Sequence, residues 1–474
     1  MQAGRFAEAA ASYEQSLALA PGNPQAHNNL AVAFAEQRLF DRALAHYGEA
    51  LRLDAKYAEA HYNLGNALRE LGRLGDAVAA YDRALALQSD WPGAHCNRGL
   101  ALAAGGQQKL AERAYRDALV RRPDYAEAHN NLGLALELQG RLDEAEAEFD
   151  RALGLAPEFA SAHANRAQLR LLRGDFRRGW PEYQWRWRLP GVAIPRLDVP
   201  VWDGAAPLAG RTICLRAEQG FGDTLQFARF APILSRVGAN VVIECQPALA
   251  ALLARMPGVR AVVPRGVRLP RCDFQIALAS LPGALGVFDE AAIPAAVPYL
   301  AADAARRDRW RAALGVYPGV KVGIGWRGNP KHPQDCHRSI PPERFEVLAA
   351  LPGVRLVSLQ TGERAPEVVN AIEPTGTLES APLAFEESAA LIEALDLVVT
   401  CDTVIAHLAG ALGRPVWIAL PLVPDFRWLL GREDSPWYPT ARLFRQVRLD
   451  DWRELFGRVA AALEAFVGER AARR

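Results

Sequence analysis

The amino-acid sequence predicts an all-α array of helical pairs followed by an α/β module made of two halves. Three observations predict this fold class. A pattern repeats every 34 residues up to about residue 188, four prolines follow close together, and short apolar runs then alternate with amphipathic segments. We therefore divide the chain into a repeat domain (1–188), a Pro-rich linker (189–209), a first half (210–305) and a second half (306–474).

The repeat domain is defined by several residue types that recur at the same step. One alanine series runs from Ala26 to Ala162, and an aromatic series runs from Tyr47 to Phe149. This pattern resembles the tetratricopeptide repeat, whose helix–turn–helix units stack into a superhelix. The chain opens in the middle of a repeat, so either the N-terminus is truncated or the first helix caps the array.

Two polar series also follow the step of 34 residues. Histidines occupy one position, and asparagines occupy the position two residues later. The histidines are His27, His61, His95, His129 and His163, and the asparagines are Asn29, Asn63, Asn97, Asn131 and Asn165. Two residues along a helix correspond to about 200°, so the two series face different directions.

The resemblance to the tetratricopeptide pattern implies a different role for each series. The histidine position packs one helix against another, so we expect these side chains to pack and to hold no metal. The asparagine position faces the concave groove, where carboxamides can hydrogen-bond the backbone of a peptide acceptor. The alternative is that the asparagines bond neighbouring repeats or water.

The last repeat departs from the pattern in the stretch "GDFRRGWPEYQWRWRL". Trp180, Tyr183 and Trp187 fall on one helical face of this stretch. Because an exposed aromatic face would be a liability, we expect this face to cap the repeats against the next domain.

The region after residue 210 has the sequence pattern of two parallel sheets. The first half contains the apolar runs "TICL", "NVVIEC", "RAVVP" and "FQIALA", and the second half contains "KVGIGW", "VRLVSL", "LDLVVT" and "PVWIAL". Amphipathic helices are predicted between them, including 342–351, 385–395 and 403–412, and a final helix over 452–468. This alternation predicts two Rossmann-like halves, with ligands bound between them at the carboxyl ends of the strands.

Composition excludes several classes of protein. The formal net charge is +1, which provides no electrostatic footprint for nucleic acid. The sequence lacks a run of about 18 apolar residues, so we expect no integral membrane segment. The six cysteines are scattered without a C-x-x-C pair, so we expect no structural zinc site and a reducing, cytoplasmic location.

The stretch "AEQGFGDTLQFARF" follows the first strand and resembles a phosphate-binding turn. It does not match the dinucleotide fingerprint, because Leu225 stands where the third glycine is required. Its loop residues Gln219, Gly220 and Gly222 lead to Asp223 at the start of a helix. Asp223 is therefore either a helix-capping carboxylate or a general base beside the crevice.

The stretch "VVTCDTVIAHLAGALGRPVWIALP" resembles the nucleotide-sugar site of the heptosyltransferase family and its relatives with the GT-B fold. "GIGWRGNPKHPQDCHRSIP" resembles the phosphate loop of that family, and the "GD" of "QGFGDTLQF" resembles the loop whose aspartate is the base. The order of repeats and transferase is shared with protein O-GlcNAc transferase. One departure from the family pattern is Cys401 before Asp402, together with Val404, so the approach of the helix to the phosphates can differ.

This resemblance implies a fold and a set of site residues. The fold is a tetratricopeptide superhelix followed by a GT-B module. Asp223 would be the catalytic base, with Gln219, Gly220 and Gly222 on the acceptor side. The donor-binding residues would be Trp326, Arg327, Lys331, Arg338, Ser339, Gln360, Asp402, Thr403 and His407. Arg427 and Trp428 either line the cleft or pack the final helix.

The expected activity is transfer of a sugar from a nucleotide sugar, with inversion, to an acceptor recruited by the repeats. The chain lacks the D-x-D motif that would hold a divalent metal, so we expect no metal and no cofactor besides the donor substrate. Fixed cations and a helix N-terminus can neutralise the leaving diphosphate instead. The acceptor would be a protein. The alternatives are a lipid-linked or lipopolysaccharide acceptor, or a non-catalytic repeat scaffold with a decayed transferase module.

Overall fold

The structure is a computed structural model that describes residues 2–192, 198–329, 335–360, 371–372 and 384–472. The chain divides into two compact units, which we call the helical unit (Met1–Asn165) and the α/β unit (Arg166–Arg474). Among the described residues, no helix has the length and the apolar character needed to cross a membrane.

The helical unit consists of antiparallel helix pairs at the predicted spacing. Its helices are α1 Gln2–Leu19, α2 Pro24–Glu36, α3 Phe40–Leu53, α4 Ala58–Glu70, α5 Leu74–Leu87, α6 Pro92–Ala104, α7 Gln108–Arg121, α8 Ala126–Leu138 and α9 Leu142–Leu155. The next helix, α10 Ala160–Leu172, begins in this unit and ends in the α/β unit. The aromatic series explains how the two helices of a repeat approach each other. A Cβ added to Gly99 would lie 2.5 Å from the ring of Tyr115, and one added to Gly65 would lie 2.7 Å from the ring of Tyr81. Each aromatic ring therefore occupies the space that a glycine leaves open.

The histidine series has the packing role that the sequence predicts. In every repeat the histidine Nε2 lies 2.8–3.1 Å from the backbone carbonyl oxygen six residues earlier. The pairs are His27 with Pro21, His61 with Ala55, His95 with Ser89, His129 with Pro123, and His163 with Pro157. Each histidine thus satisfies a carbonyl in the turn that joins two repeats.

The α/β unit begins with helical segments and continues with two α/β halves. The helix α11 spans Phe176–Tyr183 and is followed by a 3-10 helix over Gln184–Arg188. The first half contains β1 Thr212–Arg216, α12 Phe221–Ala228, α13 Ala231–Arg236, β2 Asn240–Cys245, α14 Ala250–Leu253, β3 Val259–Pro264, β4 Phe274–Ala277 and α15 Leu281–Ala284. The second half contains α16 Ala304–Gly315, β5 Val320–Gly325, α17 Asp335–Arg338, α18 Glu346–Ala349, β6 Val354–Ser358, α19 Ala384–Ala394, β7 Leu397–Cys401, α20 Val404–Ala411, β8 Val416–Leu420, β9 Ala441–Arg445 and α21 Trp452–Ala472.

Both sheets are parallel and have the strand order of open α/β folds. The first sheet has the order β3-β2-β1-β4, and the second has the order β6-β5-β7-β8-β9. The strand order therefore reverses beside β1 in one half and between β5 and β7 in the other. The loops that leave these strands border the crevice where such folds bind ligands.

Two details of the halves differ from the sequence prediction. The segment "TLQFARFAPILSRV" forms two helices, α12 and α13, because Pro232 stands in the first turn of α13 and cannot donate the hydrogen bond that a continuous helix requires. The strand β9 was not predicted, because arginines at both ends, Arg442 and Arg445, interrupt its apolar pattern.

The aromatic face of α11 packs within the α/β unit. Trp180 and Tyr183 are buried, and the Trp180 ring lies 6.3 Å from that of Phe227 and 5.8 Å from that of Phe426. Two residues of the predicted aromatic face, Trp180 and Tyr183, are therefore covered by the α/β halves. The second compact unit begins at Arg166, whereas the sequence places the end of the repeats at residue 188.

Candidate active site

Asp223 lies on the first turn of α12, just beyond the carboxyl end of β1. Its Oδ2 accepts a hydrogen bond of 2.8 Å from the backbone N–H of Gly220, which closes the turn into the helix. Its Oδ1 accepts a hydrogen bond from the guanidinium of Arg427, a residue of the second half. The carboxylate is therefore both a cap, as one of the two sequence interpretations has it, and one member of an ion pair between the halves.

Arg427 lies on a 3-10 turn, Phe426–Trp428, that follows β8. Its side chain is 9% exposed, and besides Asp223 it donates to Asp425 Oδ1 at 2.6 Å and to the Gln226 side-chain oxygen. A buried arginine with two carboxylates and an amide as acceptors has a fixed orientation. Arg427 therefore lies at the contact between the two halves, against Asp223 and Gln226 of α12.

The turn between β7 and α20 and the start of α20, in the second half, carry three further predicted site residues. Asp402 and Thr403 are buried there, with Thr403 at the N-cap position of α20, and His407 lies one turn further along. The His407 Nδ1 is 3.0 Å from the Tyr438 hydroxyl, and its Nε2 is 3.9 Å from Asp402 Oδ1. The ring also stacks on Trp428 at a centroid distance of 5.4 Å. His407 is thus held on three sides.

Burial and neighbouring charges shift the ionisation of these groups. Burial, reinforced by the negative charge of Asp425, raises the pKa of Asp402 to about 6. Burial, reinforced by the positive charges of Arg427, Arg229 and Arg338, lowers the pKa of His407 well below its usual value. The imidazole is therefore neutral at physiological pH and can act as a hydrogen-bonding group.

The two halves approach each other closely at Gly222. A Cβ added there would lie 2.7 Å from the His407 Cδ2, so any side chain at this position would displace the histidine or separate the halves. The glycine that the sequence assigned to the acceptor loop therefore lies directly against the histidine assigned to the donor site.

The loop after β5 and the helix α17 bring a second arginine to the same place. The Arg338 Nη1 donates to the backbone oxygen of Asp402 at 3.3 Å, and its Nε donates to Asp335 at 3.2 Å. Gly328 leaves room for this guanidinium, because a Cβ there would lie 2.6 Å from Nη2. The Ser339 hydroxyl oxygen is buried and has no hydrogen-bond partner among the described residues, so it has the capacity to bond a ligand.

Other predicted donor residues have different positions. Trp326 is 3% exposed and packs in the hydrophobic core beside Phe345, so its ring is not part of the cleft surface. The Gln360 oxygen accepts from the backbone N–H groups of Trp326 and Arg327 at 3.3 and 3.1 Å, so it braces the loop after β5. Arg327 itself is 40% exposed and lies 3.9 Å from Asp335. Lys331 lies outside the described residues.

The asparagine series makes hydrogen bonds within the helical unit. The side-chain amides of Asn63 and Asn165 donate to the asparagine 35 residues earlier, Asn28 and Asn130, at 3.1 and 2.9 Å. Asn97 donates to Tyr62 and Asn66, Asn131 donates to the sulfur of Cys96, and Asn29 accepts from Asn28. These contacts correspond to the alternative in which the asparagines bond neighbouring repeats, and the side chains also stay partly exposed.

Several residues of the cleft were not singled out from the sequence. Asp425 and Tyr438 contact Arg427 and His407, respectively, and Gln219 of the acceptor loop bonds Tyr183 of α11. Asp425 follows β8, so its position beyond the carboxyl end of a strand was the available signal, whereas Tyr438 lies just before β9 and has no such signal. Tyr183 was singled out only as part of an aromatic face, and no signal in the sequence connects it with Gln219.

Comparison with known proteins identifies both parts of the chain. Models of the tetratricopeptide repeat match residues 1–47 and 96–160, and models of the TPR repeat match 40–68 and 65–106. The model of Glycosyltransferase family 9 (heptosyltransferase) matches residues 354–420, which include Asp402, Thr403 and His407.

Individual proteins are also similar to this chain. Protein FlbA of Caulobacter vibrioides (strain ATCC 19089 / CIP 103742 / CB 15) is 30% identical over 329 residues, which are 64% of this chain and 54% of FlbA, so the match spans about half of that protein. The crystal structure of MamA is 29% identical, with 33% of this chain and 92% of MamA covered and a TM-score of 0.32. The structure of YrrB, a TPR protein with an unusual peptide-binding site, is 23% identical, with coverages of 38% and 92% and a TM-score of 0.33.

Proposed function

We propose that this chain, in which tetratricopeptide repeats precede a glycosyltransferase family 9 domain, transfers a sugar from a nucleotide sugar to a protein acceptor, with inversion and without a metal. The observation that carries the proposal is the arrangement of the cleft. A carboxylate on the first half, Asp223, faces a helix N-terminus with arginines on the second half, and Arg427 joins the two.

Asp223 is suited to accept the proton of an acceptor hydroxyl. One lone pair on each carboxylate oxygen is used by Gly220 and Arg427, and a second lone pair on each oxygen stays available. As Asp223 takes the proton, the acceptor oxygen forms a bond to the anomeric carbon. The bond from that carbon to the diphosphate breaks on the opposite face, and the diphosphate leaves with the electron pair. Attack from the face opposite the leaving group inverts the anomeric centre.

The second half supplies groups that stabilise the leaving diphosphate. Arg338 is charged and lies against the turn at Asp402, the Ser339 hydroxyl is available, and the N-terminus of α20 points a partial positive charge at the same region. Neutral His407 adds a hydrogen-bonding group for a phosphate or ribose oxygen. Fixed groups of this kind carry out the charge stabilisation that a divalent metal provides in other transferases.

The repeats supply the acceptor in this proposal. The asparagine series remains partly exposed, and each amide oxygen can accept a hydrogen bond from a peptide N–H. In Asn63, Asn97, Asn131 and Asn165 the amide N–H group already contacts the preceding repeat, so the proposed contribution of these four residues to peptide binding lies with their oxygens.

The proposal is tested by nucleotide binding. We expect one of the uridine, guanosine, adenosine and cytidine diphosphates to raise the melting temperature, because a ligand at a hundred times its dissociation constant adds about 2.7 kcal/mol of stability. Arg338→Ala should then weaken that binding in calorimetry by about 1.5–3 kcal/mol, since a charge-assisted hydrogen bond is lost. Arg311→Ala, which removes a half-exposed arginine of the same half, is the matched control. Equal affinity in the Arg338 variant and the parent would contradict the proposed donor site.

A further inference from the structure

We infer that the segment Phe176–Arg188, which lies at the end of the repeats in the sequence, is a positioning element of the transferase site, and that Tyr183 is its central residue. The segment consists of α11 and the 3-10 helix that follows it. Tyr183 contacts both the loop that leads to Asp223 and the turn that carries Arg427. The inference rests on the proposed function, because it assigns a role to the residues that hold the proposed base.

The hydroxyl of Tyr183 binds the acceptor loop. The Gln219 Nε2 donates to the Tyr183 oxygen at 2.8 Å, and the hydroxyl lies 3.3 Å from the Gln219 Oε1. Gln219 precedes Gly220, whose N–H donates to Asp223 Oδ2, and the carbonyl of Gln219 accepts from the Gln246 Nε2 at 2.8 Å. Burial raises the pKa of Tyr183, so the hydroxyl keeps its proton and can maintain this contact at neutral pH. The hydrogen bond with Tyr183 therefore fixes the side chain of Gln219 against the segment Phe176–Arg188.

The ring of Tyr183 contacts the turn that carries the other partner of the ion pair. It lies 5.7 Å from the Phe426 ring in an edge-to-face arrangement, and Phe426 immediately precedes Arg427. Trp180, one turn earlier on α11, contacts Phe426 at 5.8 Å and also contacts Phe227, which follows Asp223 by one turn of α12. One helical face thus packs against the elements that carry both members of the Asp223–Arg427 pair.

The 3-10 helix holds the start of the same loop. The Arg186 Nη2 donates to the Glu218 carboxylate at 3.0 Å and to the Ser280 hydroxyl at 2.7 Å, and both charged side chains are at most 5% exposed. The Glu218 carboxylate also accepts from the backbone N–H of Ala279 at 3.2 Å. The loop is therefore fixed at Glu218 and Gln219 by the helical segment, and at Asp223 by Arg427.

These contacts have a kinetic consequence rather than a purely structural one. Catalysis depends on reacting groups being placed to within a fraction of an ångström, and a misplacement of about 1 Å can reduce the rate by about 10²-fold. If the segment positions the base, loss of the Tyr183–Gln219 bond will lower turnover more than it lowers stability. If the segment only stabilises the fold, its loss will lower the melting temperature and leave turnover per folded molecule unchanged.

The test compares Tyr183→Phe with Tyr81→Phe in the full chain. Each variant removes one buried tyrosine hydroxyl that bonds an amide side chain, and Tyr81 makes its bond to Asn66 at 2.8 Å within the helical unit. The assay measures release of nucleoside diphosphate from a panel of uridine-, guanosine- and adenosine-diphosphate sugars. We expect Tyr183→Phe to lower kcat by about tenfold to 10²-fold with KM for the donor unchanged, and Tyr81→Phe to leave both constants unchanged.

A second variant makes the result independent of how well Tyr183→Phe folds. Gln219→Leu removes the other partner of the same bond, so we expect a similar loss of kcat and no further loss in the double variant. Three results would each overturn the inference. The first is a parental kcat in Tyr183→Phe, and the second is an equal loss of kcat in Tyr183→Phe and Tyr81→Phe. The third is a loss of kcat in the double variant that equals the sum of the two single losses. Absence of turnover by the parent chain with every donor would instead contradict the proposed function itself.

Discussion

Asp402 is the residue of the cleft whose charge changes close to physiological pH. Its pKa is raised to about 6 because it is buried and because Asp425 is nearby. Arginine side chains stay charged throughout this range, and His407 stays neutral because its pKa is lowered well below the usual value. Between pH 5 and pH 7.5 the negative charge of Asp402 therefore appears beside the proposed site of the donor diphosphate.

This ionisation predicts that the affinity for a nucleotide sugar falls as pH rises through about 6. The protonated carboxyl does not repel the diphosphate, whereas the carboxylate does, so binding raises the pKa of Asp402 further. If binding raises that pKa by one unit, the dissociation constant changes about tenfold across the transition. Calorimetry at pH 5 and pH 7.5 measures the change, with a nucleotide sugar as ligand because its phosphates do not titrate in this range. Asp402→Asn should remove most of the dependence, and an equally steep profile in that variant would assign it to another group.

At the scale of elements, the two α/β halves meet where α12 approaches α20. Gly222 lies in the first turn of α12, and its missing side chain leaves room for His407 of α20. Gly410, later on α20, makes room for the ring of Tyr438 in the same way, since a Cβ there would lie 2.4 Å from that ring. The close packing of α20 therefore requires a glycine at two positions: Gly222 of α12, where α20 meets the opposite half, and Gly410 of α20, where it meets the Tyr438 ring.

We predict that Gly222→Ala lowers the free energy of unfolding by about 1–3 kcal/mol, because it overpacks a buried contact, and that it lowers turnover as well. Gly457→Ala is the control, since a Cβ there meets nothing within 4 Å and alanine favours the interior of α21. Denaturant unfolding and steady-state turnover measure both effects. A Gly222 variant with parental stability and turnover would show that the close approach of α12 and α20 is dispensable.

At the scale of the whole molecule, the sequence predicts those features that depend on local periodicity. The step of 34 residues predicts the helix pairs, and the alternation of apolar runs predicts both parallel sheets. The partner of Asp223 could not be predicted in this way, because Arg427 is 204 residues away and pairs with it only when the two halves face each other. Trp326 was predicted from the sequence as a donor-binding residue, but its ring packs in the core. An aromatic residue at the end of a strand has the same local sequence pattern in both cases, so the sequence alone does not distinguish them.

If Asp223 is a base as well as a cap, turnover by Asp223→Asn shows this more directly than any other measurement. The amide keeps the size of the side chain and can still accept from Gly220, but it cannot take a proton. Asp425→Asn is the control, because it removes the other carboxylate of Arg427 and leaves the base in place. We expect Asp223→Asn to lower kcat by about 10²–10⁴-fold and to leave the affinity for the donor nearly unchanged. Turnover is measured in EDTA, which removes divalent metal ions. We expect Asp425→Asn to lower kcat much less. Turnover close to that of the parent in Asp223→Asn would contradict the account and leave Asp223 as a cap alone.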